Sequence, residues 1–130
     1  MGASSTITID LGTKRVSFSS PEMALRESVA VALVNTGAAT ATDLTLSVLY
    51  RGTVLIKCDS FVAGSGQFDG TLDLDNADLE AFYTGENDGR KKKTFDFTLW
   101  DFGRSKMLIN DKITIMNNPY DPNMTLPTAI

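Results

Sequence analysis

The stretch LTLSVLYRGTVLIKC, residues 44–58, contains the pattern that decides the fold. Apolar side chains occupy every second position from Leu44 to Tyr50. A period of two is typical of a β-strand that buries one face, because successive strand side chains point to opposite sides. Arg51-Gly52 then predicts a tight hairpin turn. The alternation resumes at Val54 and Ile56, so these residues predict a pair of strands with a shared buried face.

The same alternation recurs along most of the chain and is interrupted by turn signals about every 8 to 12 residues. We therefore predict about eight short strands in an all-β fold, an antiparallel Greek-key β-sandwich of immunoglobulin-like size. A small closed β-barrel is the alternative. The further alternating segments run from Ile7 to Leu11, Val16 to Phe18, Val29 to Leu33, Leu72 to Leu74, Phe95 to Leu99 and Met107 to Ile115.

One short helix is expected after the segment at Leu72 and Leu74. Asp75 or Asn76 is a suitable N-cap, because a short polar side chain accepts a hydrogen bond from the first helical turn. Leu79, Phe82 and Tyr83 follow at the i, i+3, i+4 spacing of an apolar helix face. Gly85 is well placed to end the helix.

The chain is predicted to hold one sandwich domain, residues 1–116, followed by an extended C-terminal arm, residues 117–130. The arm has no strand or helix periodicity and carries Pro119, Pro122 and Pro127. Such a segment is mobile in isolation. We expect a neighbouring subunit to hold it.

Composition removes several classes of chemistry. The chain has no His and one Cys, which excludes a Ser-His-Asp triad, an imidazole metal site and an internal disulfide. The formal net charge of -4 argues against a nucleic-acid binder, which usually carries a basic face. No apolar run approaches the ~18 residues needed to span a membrane. We predict a protein that is not an enzyme, binds no cofactor and acts away from membranes.

Two residues fall out of phase with their strands. Trp100 follows Phe95, Phe97 and Leu99 in the wrong register, so it either returns to the core through a bulge at the strand end or faces outward as an interface anchor. Asp111 shares the register of Ile109 and Ile113, so an unbroken strand would bury a carboxylate. A bulge or turn at Asn110-Asp111 would avoid that cost.

The charged residues form two clusters, one basic and one acidic. Arg90, Lys91, Lys92 and Lys93 form the one basic run. This run either solvates a loop and protects a strand edge, or meets a partner, and an acidic protein is then favoured over nucleic acid. Asp69, Asp73, Asp75 and Asp78 do not match the ligand spacing of a calcium loop, and we interpret them as a solvated strand and a helix cap.

The segment from Phe95 to Asp101, the short turn after it, Leu108 to Met116 and then Asn117-Asn118-Pro119 form a recognisable series. It resembles the small β-sandwich modules at the N-termini of phage tail-fibre and baseplate proteins, over about a quarter of the chain. The segment from Val31 to Tyr50, with Asn35-Thr36-Gly37, is also similar to bacterial immunoglobulin-like adhesion modules.

The resemblance implies a virion structural protein of a bacteriophage, assembled in the host cytoplasm. It would attach to other virion proteins and to copies of itself, in the tail or its fibre region. No shaft or receptor tip follows the arm, which favours an adaptor role. The expected interface residues are Trp100, Phe102, Pro119, Tyr120, Pro122 and Ile130.

Two other functions stay open at this stage. A capsid decoration protein would share the same composition. A carbohydrate- or cell-surface-binding module would bind a host-surface glycan on an exposed aromatic platform, formed by Trp100 with Tyr83. Sugar binding by the monomer would separate this function from the virion role, and the residue pattern leaves undecided whether Trp100 is buried or exposed.

Overall fold

A computed structural model describes residues 5–20, 23–64, 66–83 and 92–116. Ten strands, a short 3-10 helix at Ala41–Asp43 and one α-helix, α1 at Ala77–Glu80, make up the regular structure of these residues. The number of strands exceeds the predicted eight, because β3 and β7 have only two residues each and are too short to show an alternating pattern. Their bounds are β1 Thr6–Asp10, β2 Arg15–Phe18, β3 Met23–Ala24, β4 Ser28–Val34, β5 Leu44–Tyr50, β6 Thr53–Cys58, β7 Val62–Ala63, β8 Gln67–Asp73, β9 Lys92–Asp101 and β10 Lys106–Met116.

The strands form two five-stranded sheets, in the orders β2-β1-β4-β8-β7 and β3-β10-β9-β5-β6. The prediction of an all-β sandwich is confirmed. The chain crosses between sheets from β4 to β5, from β6 to β7 and from β8 to β9, which are Greek-key connections. The neighbour orders β4-β8-β7 and β10-β9-β5 match those of the B-E-D and G-F-C strands in immunoglobulin domains.

The sheets are mixed, so the expectation of wholly antiparallel pairing was wrong. β1 runs parallel to β4, and β3 runs parallel to β10. After the β1–β2 hairpin the chain crosses to the second sheet as β3 and returns as β4 in the direction of β1. Alternation of side chains is the same in parallel and antiparallel strands, so it carries no information about strand direction.

The core lies between the sheets and contains most of the predicted inward residues. Ile7 and Ile9, Val29 to Leu33 at alternate positions, and Phe95, Phe97 and Leu99 are all buried. Full burial of each large apolar side chain contributes roughly 1.5–3 kcal/mol. Cys58 also lies in the core, and burial raises the pKa of its thiol. The single cysteine is therefore part of the packing.

The hairpin between β5 and β6 turns where it was predicted. Arg51 and Gly52 both have positive φ, 50° and 85°, as a type I′ turn requires. The pairing then slips between Val48 and Leu49, with Leu55 as the additional residue of β6. Because of this bulge Val54 is 46% exposed, and the expectation that it shares the buried face with Ile56 was wrong.

The predicted helix is present and its cap is resolved. The side chain of Asn76 accepts a hydrogen bond from the Leu79 backbone N–H at 3.0 Å, so Asn76 is the N-cap. Leu79 and Tyr83 are buried, and the Tyr83 hydroxyl donates to the Ile115 carbonyl at 2.7 Å. Burial raises the pKa of this phenol. Gly85 lies outside the described residues.

The last strand, β10, is continuous, and its bulge lies at Leu108, before the predicted position. Asp111 keeps the inward register opposite Phe97, yet it is exposed. Within the described residues, β10 pairs with β3 at Ile115 and Met116 alone, so Asp111 lies on a free sheet edge. A bulge or turn at Asn110-Asp111 is therefore unnecessary.

Candidate interaction surface on the β9–β10 hairpin

The turn between β9 and β10 is held by one buried carboxylate. Asp101 is 1% exposed and accepts two hydrogen bonds from Arg104, from the backbone N–H at 3.1 Å and from Nε at 2.7 Å. The side-chain hydrogen bond from Arg104 lowers the pKa of Asp101, with a smaller contribution from its positive charge. The turn is therefore fixed from within by a charge-assisted contact.

A second contact ties the turn to the neighbouring loop. The Phe102 N–H donates to the Asp43 carbonyl at 2.9 Å. Gly103 lies so close to the Asp43 carboxylate that an added Cβ would collide with it. The backbone of the turn is thus held on both sides, while the Phe102 side chain is 64% exposed.

Trp100 lies on the outer face of the second sheet. The strand β9 keeps a regular alternation through Phe97 and Leu99, so Trp100 faces outward and is half-buried. A bulge that returns its ring to the core, one of the two interpretations above, was wrong. The bulge is in the partner strand at Leu108.

Trp100, Phe102 and Met107 form one exposed apolar surface, the hairpin patch. The rings of Trp100 and Phe102 stack with centroids 6.1 Å apart and planes 15° from parallel, a favourable offset geometry for an aromatic pair. Met107 is the cross-strand partner of Trp100 and is 45% exposed. The structure therefore brings two of the predicted interface residues together.

Met107 was not expected to be part of this surface. The alternation placed it on the inward face with Ile109, but the additional residue Leu108 reverses its orientation. Two adjacent apolar residues, Leu108 and Ile109, are both buried. This pair was the sequence signal for a bulge, since an unbroken strand cannot bury two neighbours on one face.

The outer face next to Trp100 is closely packed. Thr98 and its cross-strand partner Ser47 are both buried, although they point away from the core. The Thr98 hydroxyl has no hydrogen-bond partner among the described residues. The outer face beside Trp100 therefore contains two small, buried polar side chains.

Lys92 and Lys93 of the basic run lie at the opposite end of the sandwich from the hairpin patch. Lys92 and Lys93 are the first residues of β9, about 30 Å from Asp101 at the usual rise of a strand. They belong to a strand, so the expectation that they solvate a loop was wrong for these two. Lys93 Nζ is 5.9 Å from the centroid of the Tyr50 ring, and Arg51 is 5.2 Å from the same centroid. Arg90 and Lys91 lie outside the described residues.

The other predicted interface residues also lie outside the described residues: Pro119, Tyr120, Pro122 and Ile130. Within the described ranges, no three His, Cys, Asp or Glu side chains come together as a metal-binding group. No helix there is long and apolar enough to cross a membrane.

No protein-family model matches the chain, and no curated protein matches it.

Proposed function

We propose that this chain is a non-enzymatic structural protein of a phage virion, which acts as an adaptor in the tail or its fibre region. It binds other virion proteins and copies of itself, after assembly in the host cytoplasm. The observation that carries the proposal is the hairpin patch: Trp100, Phe102 and Met107 present apolar surface on an otherwise well-filled sandwich.

The chemistry of the patch suits a protein partner. Tryptophan, phenylalanine and methionine are enriched at protein interfaces, and tryptophan is frequent among the residues whose loss weakens binding most. Arg104 and Lys106 are exposed at the same hairpin and provide a polar rim. An apolar centre within a charged rim is the usual arrangement of such interfaces.

The test combines detection in particles with one matched pair of variants. The protein should be found by mass spectrometry in purified virions, and antibody labelling should place it on the tail. Phe102→Ala should weaken self-association or incorporation roughly thirtyfold, because loss of a central aromatic residue costs about 2 kcal/mol. Phe102 is mostly exposed, so the fold should be unaffected.

Val62→Ala is the control, because Val62 is 68% exposed on the other sheet. It should assemble as the unchanged protein does. Virions without the protein would refute the structural role, and normal incorporation of Phe102→Ala would refute the patch. Label confined to the capsid would instead identify a decoration protein.

A carbohydrate-binding module is the second candidate, favoured by the stacked aromatic pair alone. The earlier choice of Tyr83 as partner of Trp100 was wrong, because Tyr83 is 3% exposed. Phe102 takes its place. Trp100 is the single tryptophan of the chain. A saturable change in its fluorescence when a glycan is added to the monomeric protein would therefore support this function. A change that requires protein association would favour the adaptor.

A further inference from the structure

Three loops that are distant in sequence enclose a cleft of about 260 Å³ at one end of the sandwich. They are the β1–β2 turn, the loop after β4 and the β9–β10 turn. Leu11 and Leu108, both 9% exposed, provide apolar lining. Lys14, Arg104 and Lys106 provide the charged lining, and no lining residue is acidic.

We propose that this cleft binds a carboxylate group. The inference goes beyond the hairpin patch, since Trp100, Phe102 and Met107 do not line the cleft. Arg104 and Lys106 belong both to the rim of the patch and to the lining of the cleft, whereas Lys14 belongs to the cleft alone. Three cationic side chains around one cleft are unexpected in a chain of net charge -4. Their convergence is a property of the tertiary structure, because each of the first two loops lies far along the chain from the third.

The cations are available to a ligand. Neither Lys14 nor Lys106 forms an ion pair with a described residue. Arg104 contacts Asp101 through Nε, and no described residue accepts a hydrogen bond from its two Nη nitrogens. Terminal nitrogens of arginine bind carboxylate oxygens with favourable planar geometry.

The carboxylates nearby are already engaged in the loops. Asp10 accepts hydrogen bonds from the Gly12 N–H at 2.9 Å, the Thr13 N–H at 3.1 Å and Asn35 Nδ2 at 3.0 Å. These bonds position the loops that line the cleft, and Asp101 does the same for the turn.

The local charge favours a monoanion. Three cations line the cleft, and the carboxylates of Asp10, Asp43 and Asp101 in the adjoining turns partly offset their charge. A singly charged carboxylate therefore suits the cleft better than a phosphate, which carries almost two negative charges. The volume is just below the range of about 300–1,000 Å³ for sites that enclose a drug-sized molecule. A group of the size of acetate or of a glutamate side chain therefore fits.

The carboxylate could belong to a free acid, such as a uronic sugar, or to an acidic side chain of a partner chain. The experiment is a titration of ¹⁵N-labelled protein followed by NMR at constant ionic strength. The probes are sodium acetate, glucuronate with glucose as the neutral analogue, and a capped Gly-Glu-Gly peptide with Gly-Gln-Gly as its neutral analogue. Sodium chloride is the reference salt.

Saturable shifts of the Gly12, Gly37 and Leu108 amides with acetate support the proposal. Tighter binding of glucuronate would then identify a free acid, and tighter binding of the glutamate peptide would identify a partner side chain. Shifts no larger than those in sodium chloride with every carboxylate would overturn it.

Two variants test the lining directly. Lys106→Gln and Lys14→Asn should each weaken acetate binding roughly two- to fivefold, as for loss of one exposed ion pair. Asparagine suits position 14 because Lys14 has a φ of 61°, which asparagine tolerates. Lys57→Gln is the control with the same charge change, since Lys57 is exposed on β6 at the other edge of the sheet.

Equal affinity of all three variants for acetate would show that acetate does not bind in the cleft, even if it binds elsewhere on the protein. The result is independent of the proposed function. A failed titration leaves the hairpin patch untouched, whereas normal assembly of Phe102→Ala leaves the cleft untouched.

Discussion

Gly70 shows how one residue shapes the core at the residue scale. It lies in the middle of β8, opposite Val31 of β4. A Cβ built there would lie 2.8 Å from the ring of Phe61 and 3.1 Å from Cys58 Sγ. Phe61 precedes β7 and is 4% exposed. The missing side chain of Gly70 therefore makes the space in which the Phe61 ring is buried.

Gly70→Ala should destabilise the protein, because the buried ring or the strand must shift to admit the methyl group. Overpacking of a filled core costs roughly 1–3 kcal/mol. Urea unfolding followed by far-ultraviolet circular dichroism measures the change.

Gly64→Ala is the matched control for this substitution. A Cβ at Gly64 would have its nearest neighbour at 3.5 Å, an ordinary contact, so we expect a change below about 0.5 kcal/mol. Equal stability of the two variants would show that Phe61 does not depend on the space at Gly70.

The β9–β10 hairpin is the decisive element, because it supports both the hairpin patch and one wall of the cleft. Asp101 holds its turn, and the charged form of Asp101 is stabilised in the folded protein by the hydrogen bond from Arg104. A carboxyl group whose pKa is lowered by folding stabilises the fold when it is charged. That stability is lost as the pH falls from the ordinary pKa of 3.8 to the lower folded value.

Asp101→Asn should therefore reduce the free energy of unfolding at neutral pH, by roughly 1–3 kcal/mol for a buried charge-assisted contact. The difference from the unchanged protein should shrink below about pH 4, where the unfolded carboxyl is protonated. Urea unfolding between pH 7 and pH 2 measures both effects.

Asp59→Asn provides the comparison, because Asp59 is exposed just after β6 and its loss should change stability little. A difference between Asp101→Asn and the unchanged protein that stays constant down to pH 2 would contradict the assigned role of the Arg104 contact.

At the scale of the whole molecule, the predicted division into a sandwich domain, residues 1–116, and a C-terminal arm, residues 117–130, can be tested. The ten strands end at Met116, and Ile113 and Ile115 of the last strand are 2% and 0% exposed. The last described strand therefore belongs to the core, and the domain boundary at residue 116 stays a prediction. Whether residues 117–130 bind a neighbouring subunit stays a prediction.

Removal of residues 117–130 should leave a folded sandwich, with a melting temperature within a few degrees of the full chain, and should abolish self-association. Calorimetry and sedimentation measure the two properties. Truncation after residue 112 serves as the control, because it removes Ile113 and Ile115 and should prevent folding by the loss of several kcal/mol of core packing.

Two outcomes would change this view. If the chain ending at residue 116 fails to fold, the arm belongs to the domain. If it folds and associates like the full chain, the arm has no part in assembly, and the hairpin patch remains the candidate interface for self-association.

Local features were predictable because they depend on neighbouring residues. Alternation identified most strands, Arg51-Gly52 identified the hairpin turn, and Asn76 was one of two proposed caps for the short helix. Trp100 and Phe102 were recognised as interface candidates by residue type and by a break in phase. Each of these signals extends over a few residues, which is the range over which backbone preference acts.

The sequence by itself determined that this chain is an all-β sandwich with one short capped helix. Tertiary structure decided the rest: the parallel pairing of β1 with β4, the outward position of Trp100, and the bulge that exposes Met107. It also decided the meeting of Lys14, Arg104 and Lys106 at one cleft. These features depend on which strands become neighbours, and that choice follows from packing of the whole core between residues far apart in the chain.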